Sequence, residues 1–143
     1  MRDAIRAASG PDLAAALELR RRVFCEEQGV PEELERDGLD EAALHLVAVD
    51  ASGAVVATCR LVRRGRRMAL QRMAVDRAAR GRGLGARLLE AAHAEAAAAG
   101  AGEVELHAQV AVRDFYARAG YKPEGAEFEE AGIAHVVMRR AVP

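Results

Sequence analysis

With 143 residues, 51% of them hydrophobic, the chain is long enough for one compact domain with its own core, and residues 1–143 are read as that single domain. Its 21 basic and 22 acidic residues leave a net charge of -1, which argues against a dedicated nucleic-acid binder with its usual basic excess. No apolar run approaches the about 18 residues of a membrane span, and Met1 to Arg6 contains no apolar signal core, so a cytoplasmic protein is expected. Cys25 and Cys59 are isolated, fit no metal-ligand spacing and read as two reduced, buried thiols, so no metal is expected.

Residues 4–8 are expected to form a short first strand. Pro11 and Asp12 then open a helix to about Gln28, with Leu13, Leu17, Val23 and Phe24 mostly on one face and Arg20, Arg21 and Arg22 largely outside it. Gly29 to Glu41 is acidic and turn-rich and predicts a solvated loop with one helical turn. A meander comes next: strands over Leu44–Asp50, Ala54–Val62 and Met68–Val75, joined by turns at Ala51-Ser52-Gly53 and Arg63–Arg67. Five arginines lie between Arg60 and Arg67, four of them in the turn, and the run reads as a soluble turn that also protects a strand edge, with a phosphate or acidic partner as the alternative. From Gly83 to about Ala99 the apolar period becomes helical through Leu84, Leu88 and Ala92, and Gly100 to Gly102 ends the helix. Glu103–His107 predicts a strand, Val110–Ala119 a short helix, and 122–129 with 133–140 a hairpin around Ala131-Gly132. Strand, helix, three-strand meander, helix, strand, helix and hairpin make an α+β layer structure with helices on both faces.

The segment Arg80-Gly81-Arg82-Gly83-Leu84-Gly85 lies where a strand hands over to a helix. Glycines allow close approach of a ligand, and free N–H groups at a helix start offer the positive end of its dipole, a geometry that suits a diphosphate. Arg80 and Arg82 add charge. A P-loop would need a lysine that is absent here. A dinucleotide fold would need G-x-x-G after the first G-x, whereas Gly81, Gly83 and Gly85 alternate behind an antiparallel meander. A glycine-rich turn that merely starts a helix is the remaining bland alternative.

Arg80, Gly83 and Gly85 match the pattern Gln or Arg, two residues, Gly, one residue, then Gly or Ala. The preceding Leu70-Gln71-Arg72-Met73-Ala74-Val75 ends in an apolar-Ala-Val strand, and Gln109 to Tyr121 closes on Phe115-Tyr116-Ala117-Arg118-Ala119-Gly120-Tyr121. In these segments the sequence resembles the GNAT superfamily of acetyl-CoA-dependent N-acetyltransferases. Arg22 to Pro31, followed by Asp37, Asp40 and His45, and Gly132-Ile133-Ala134-His135 with Met138, are similar to the small bacterial branch around YjcF and ElaA. The resemblance implies a mixed, mostly antiparallel twisted sheet of about six or seven strands flanked by about four helices. It implies acetyl-CoA as co-substrate, held by Arg80, Gly81, Arg82, Gly83, Leu84, Gly85 and Ala86 around the pyrophosphate. Main chain of Met73, Ala74 and Val75 would run along the pantetheine arm, with a backbone N–H near Met73 able to face the thioester oxygen. Gln109 stands where the family has an Asn that bonds that arm. Family members are often dimers.

The implied reaction is direct attack of an amine on a thioester. The leaving thiolate departs more easily if protonated, and Tyr116 occupies the position of the family's general acid, although an aromatic beside Phe115 also fits plain packing. An alkyl amine is almost wholly protonated at pH 7, a penalty of roughly 4 kcal/mol, so a base or water chain must take its proton. Glu26, Glu27, His107 and His135 are candidates, and Glu27 and His135 are carried forward as base or substrate contacts. The acidic run Glu32 to Asp40 would otherwise attract a cationic substrate. The acceptor is expected to be a primary amine of a small molecule or peptide. Two alternatives stay open: a relative of acyl-homoserine-lactone synthases, which share an Arg-x-x-x-Phe start, and a non-catalytic acyl-CoA sensor or partner subunit.

Overall fold

The structure, a computed structural model, describes residues 3–142; Met1 and Arg2 of the N-terminal segment, and Pro143, lie outside them. Seven strands form one sheet: β1 (Ala4–Ala7), β2 (Leu44–Val49), β3 (Val55–Arg64), β4 (Arg67–Val75), β5 (Glu103–Gln109), β6 (Lys122–Glu130) and β7 (Ile133–Ala141). Their spatial order is β1-β2-β3-β4-β5-β7-β6, antiparallel throughout except for the parallel pair β4–β5. Four α-helices, α1 (Gly10–Arg20), α2 (Glu32–Glu35), α3 (Leu84–Ala98) and α4 (Arg113–Arg118), complete the fold expected from the sequence. No helix among the described residues is long and apolar enough to cross a membrane.

The sheet is covered on both faces. β3 is buried from Val55 to Val62, as a central strand between two helical layers must be. On one face Ala16, Leu19 and Val23 pack against Val47, Val49, Val55 and Ala74. On the other, Leu84, Leu88, Leu89, Ala92 and Ala96 of α3 pack against Leu46, Cys59, Leu61, Leu70, Val104, Leu106 and Met138. Ala92 and Ala96, one turn apart, let the α3 backbone approach the sheet closely, and each buried leucine contributes about 2 kcal/mol. Arg63 donates to the Ala99 carbonyl (2.8 Å) and so places a cation at the α3 C-terminus.

Three details differ from the sequence reading. The buried stripe that runs along α1 and into the helical residues after it is Ala16, Leu19, Arg20 and Val23, the spacing i, i+3, i+4, i+7, while Leu13 and Leu17 are only half-buried. Arg20 therefore sits inside the apolar face, not outside it, because carboxylates wait for it there. The expected single helix to Gln28 is α-helical only to Arg20 and continues as a π-helical stretch, Arg21–Glu27. Such a widened turn re-aims the chain beyond it and is common beside functional sites. The third difference concerns the arginine run: Arg60 lies in the strand as expected but is wholly buried, and only Gly65 and Arg66 lie between the strands of that hairpin, so Arg63, Arg64 and Arg67 belong to the strands.

Candidate active site

β4 and β5 are in register only from Arg67–Ala69 against Glu103–Glu105. Beyond that point the strands part, leaving an open seam in the middle of the sheet. A bulge in β4 prepares the seam wall: Arg72 has φ +58, a left-handed conformation rare for a side-chain-bearing residue, and the β3 register shifts between Thr58 and Arg60. The Arg72 guanidinium holds the bulge by donating to the carbonyls of Leu34 (3.3 Å) and Glu35 (3.2 Å). Past the bulge the Asp76 N–H donates to the Val56 carbonyl (2.8 Å). Strand alternation then turns the main-chain groups of Val75 and Met73 away from β3 and toward the seam. Ala74 points its side chain into the α1-side core.

At the end of β4 the chain enters the glycine loop. Asp76 caps a short turn by accepting from the Ala78 N–H (3.1 Å), and Gly81 (φ +84) and Gly83 (φ +76) carry the chain into α3. Gly83 occupies the cap position without any side-chain cap, so the N–H groups of Leu84, Gly85 and Ala86 open the helix unpaired by side chains. Gly81 and Gly83 are needed for their left-handed backbone, since a Cβ at either would meet nothing within 4 Å. Gly85 has a different reason: a Cβ there would stand 3.3 Å from the Phe115 ring. Arg80 donates to the Val75 carbonyl (2.9 Å) and to Glu27 (3.0 Å), and Arg82 pairs with Asp3 (3.0 Å).

α4 comes after β5 and closes the seam on the α3 side. Phe115 and Tyr116 meet edge to face at 5.0 Å, and Tyr116 meets Tyr121 likewise at 5.9 Å. The Tyr121 hydroxyl is engaged by His93 (2.7 Å). Arg140, which can only donate, faces the other nitrogen of that ring, so His93 carries its proton toward Tyr121. The half-buried Tyr116 hydroxyl has no hydrogen-bond partner among the described residues, and burial, with a smaller effect of Cys59, pushes its phenol up to about 12. Burial likewise pushes the Cys59 thiol up to about 12, which leaves it inert, in keeping with a structural role. Gln109, at the end of β5, donates to Gln28 (2.9 Å) at the end of the π-helical stretch.

An open seam walled by the main chain of Met73 and Val75, whose carbonyl at Val75 is held by Arg80, with an uncapped helix start at one end and a free phenol beside it, fits a nucleotide thioester. Comparison with known proteins agrees. The model of the acetyltransferase (GNAT) domain matches residues 7–142. The chain belongs to the GNAT acetyltransferases. An uncharacterized N-acetyltransferase, YjcF, of Bacillus subtilis (strain 168) is 33% identical over 138 residues, 96% of this chain and 98% of that one. An acyl-CoA N-acyltransferase from Pseudomonas aeruginosa is 32% identical with a TM-score of 0.88, covering 97% of this chain and 99% of that one. Escherichia coli ElaA is 26% identical with a TM-score of 0.86, covering 96% and 99%. These relatives place the chain in the small bacterial YjcF/ElaA-like branch.

The other side of this GNAT seam departs from the sequence reading most. The acidic run is only partly solvated: Glu32 and Glu33 are exposed, while its later carboxylates are engaged by arginines. Glu35 is 3% exposed and pairs with Arg20 (2.7 Å); Asp40 accepts from both Arg20 and Arg60 (2.8 Å each); Asp37 accepts from Arg60 and Arg72. Gln71 and the Asp40 carbonyl, the latter bonded to His45 (2.8 Å), complete the network. Three guanidinium groups and three carboxylates thus pin α2 and the chain behind it onto the β4 bulge. The arginine stripe position on α1 was the sequence signal for it.

The Arg60 guanidinium holds the Asp37 carboxyl far below the usual carboxylate range, against the opposing effect of burial. For Asp40 burial alone would raise it, but Arg20 and Arg60 together bring it down. A depressed folded-state value stabilises the fold above the unfolded value near pH 4 and loses that contribution as pH falls through the folded one. The melting temperature is therefore expected to hold from neutrality to about pH 5 and to decline steeply below about pH 4. A melting temperature flat down to about pH 2.5 would count against the network.

The remaining sequence candidates separate. Glu27 lies by the glycine loop, with Arg80 at 3.0 Å and Arg77 at 3.5 Å. His135 lies on β7, opposite Gln109 of β5 and Phe128 of β6, and is not brought to Glu27. Glu26 pairs with Arg21 on the exposed side of the π-helical stretch. Among the described residues no group of three or more His, Cys, Asp and Glu side chains is arranged to hold a metal ion.

Proposed function

We propose that the protein is an N-acyltransferase that moves an acetyl group from acetyl-CoA to a primary amine of a small molecule or peptide, by direct attack in a ternary complex. The observation that carries this reading is the parting of β4 from β5 beyond Ala69 and Glu105, with the uncapped α3 start following β4 and Tyr116 following β5. Acetyl-CoA supplies an activated acyl carbonyl with a thiolate leaving group. The α3 N–H groups and Arg82 hold the diphosphate, with Arg80 exchanging its Glu27 partner for a phosphate oxygen. Main chain of Met73 and Val75 pairs with the extended arm as an added strand would, and the bulge at Arg72 aims that wall. Tyr116 donates its O–H toward the departing sulfur. Gln109, longer than the Asn of the family pattern, contacts the arm near its thioester end and exchanges its bond to Gln28 when it does so.

Calorimetric titration with coenzyme A tests the site. Any residue other than glycine at position 83 strains the backbone by about 1–2 kcal/mol, so Gly83→Ala is the control for Gly83→Glu. Gly83→Ala is expected to lose binding about threefold to tenfold, through strain alone. Gly83→Glu adds an anion at the phosphate position and is expected to remove measurable binding while remaining folded by circular dichroism. Equal affinities for the two variants would place the diphosphate elsewhere. Turnover is followed by thiol release from acetyl-CoA across a panel of amines; binding without turnover of any amine would favour the sensor alternative.

A further inference from the structure

The far end of the seam carries a second cluster, one that cofactor binding and thiolate protonation do not use. His135 is 7% exposed, on the β7 face directly opposite Gln109. Its Nδ1 lies 2.7 Å from the Ile133 carbonyl. A carbonyl can only accept, so the proton of the neutral ring sits on Nδ1, and Nε2 is left as a bare lone pair. That Nε2 has no hydrogen-bond partner among the described residues. The carboxylate of Glu130, from the end of β6, stands 3.8 Å away. Glu130 is itself fixed from the opposite side by His107 of β5 (3.0 Å), and Phe128 stacks on the His135 ring with centroids 6.0 Å apart. The titratable groups around His135 are thus Glu130 and, beyond it, His107; Gln109 beside it is neutral.

A buried imidazole locked in one tautomer, its free nitrogen facing a carboxylate, is the arrangement of a base prepared to become an imidazolium. Resting on the acyltransferase reading, we propose that His135 takes the proton of the incoming amine, that Glu130 is the positioning residue that stabilises the resulting imidazolium, and that the acceptor class is a primary alkylammonium. One N–H proton of the ammonium moves to His135 Nε2 and from there to solvent. The freed lone pair forms the N–C bond to the acyl carbon and the C–S bond breaks. The second N–H proton, lost as the amide forms, balances the proton that the sulfur acquires on the Tyr116 side. The net products are an amide, a free thiol and one proton. Glu130 also contributes a negative charge that favours a cationic acceptor at this end of the seam.

The test compares two nucleophiles at pH 7 with the full chain and acetyl-CoA: n-butylamine, which is an ammonium, and hydroxylamine, which is already neutral. His135→Ala and His135→Gln are expected to lose about 100-fold in kcat/KM against butylamine and less than about threefold against hydroxylamine, with coenzyme A binding unchanged. Added imidazole is expected to restore part of the butylamine rate in His135→Ala. Glu130→Gln should lose about tenfold against butylamine only, a selectivity that a purely structural role would not produce. Equal losses against both nucleophiles in variants that bind coenzyme A normally, or no imidazole rescue, would overturn the base. Wild-type turnover of hydroxylamine without turnover of any alkylammonium would overturn the acceptor class. Absence of coenzyme A binding by the wild type would instead refute the acyltransferase reading itself.

Discussion

Replacing Arg60 by methionine is expected to destabilise the domain by about 3–5 kcal/mol, measured by denaturant unfolding at pH 7. Arg60 is 0% exposed and donates to Asp37, Asp40 and Gln71 from one planar group. Methionine fills much of the same stem volume, so the cost is electrostatic rather than a cavity. It leaves Asp40 with Arg20 as its one guanidinium partner, and Asp37 with Arg72 and the Leu39 N–H. The side chain of Asp37 is 30% exposed and can recover part of its loss from water, which sets the lower end of the range. Lysine at the same place retains the charge but cannot serve three acceptors from one fork, so Arg60→Lys should still cost about 1–3 kcal/mol. Because Arg72 reaches from the bulge into the same network, the methionine variant should also weaken coenzyme A binding. A loss below about 1 kcal/mol for Arg60→Met would show that the carboxylates find other partners.

The parts of the fold written in local pattern were legible in advance. The meander announced itself by β-branched runs broken at Ser52-Gly53 and Gly65. The last hairpin turns on Ala131 (φ +53) and Gly132 (φ +76), a two-residue turn with both angles positive. The glycine loop could be read because a left-handed approach to an uncapped helix leaves so few choices of residue. What lay out of reach was long-range pairing. Glu32 to Asp40 has the composition of a solvated loop, and only the folded chain brings Arg20, Arg60 and Arg72 onto it from three separate elements. The hint was Arg20 itself, at i+4 from Ala16 and one position from Leu19, where an exposed arginine cannot stand. Likewise nothing in the local sequence singles out Glu130. Its place between two imidazoles comes from β6 and β5 flanking β7, a neighbour order that sequence spacing does not encode. The π-helical turn at Arg21–Glu27 was hidden for a related reason, since its register is chosen by tertiary contacts rather than by propensity.

Tyr116→Phe is expected to reduce kcat about 100-fold while leaving coenzyme A affinity within about threefold, since the ring keeps its packing and the lost hydroxyl has no partner to forfeit. The size is set by the acidity of the phenol. At about 12 it is a weaker acid than a thiol near 8.5, so complete transfer of its proton to a free thiolate is uphill by about 5 kcal/mol. Tyr116 therefore acts chiefly as a donor that shortens its hydrogen bond as charge builds on sulfur. A hydrogen bond to a charged group contributes about 1.5–3 kcal/mol, or roughly 10- to 150-fold in rate. The same acidity fixes a pH signature. A donor must be protonated to act, so the contribution of Tyr116 is fully present below its pKa and is lost only as pH rises through about 12. Any decline of kcat between about pH 8 and 10 must then come from another group and persist in the phenylalanine variant. An alkaline decline in that range that disappears in Tyr116→Phe, or a variant within threefold of wild type, would remove Tyr116 from the chemistry and return it to the core.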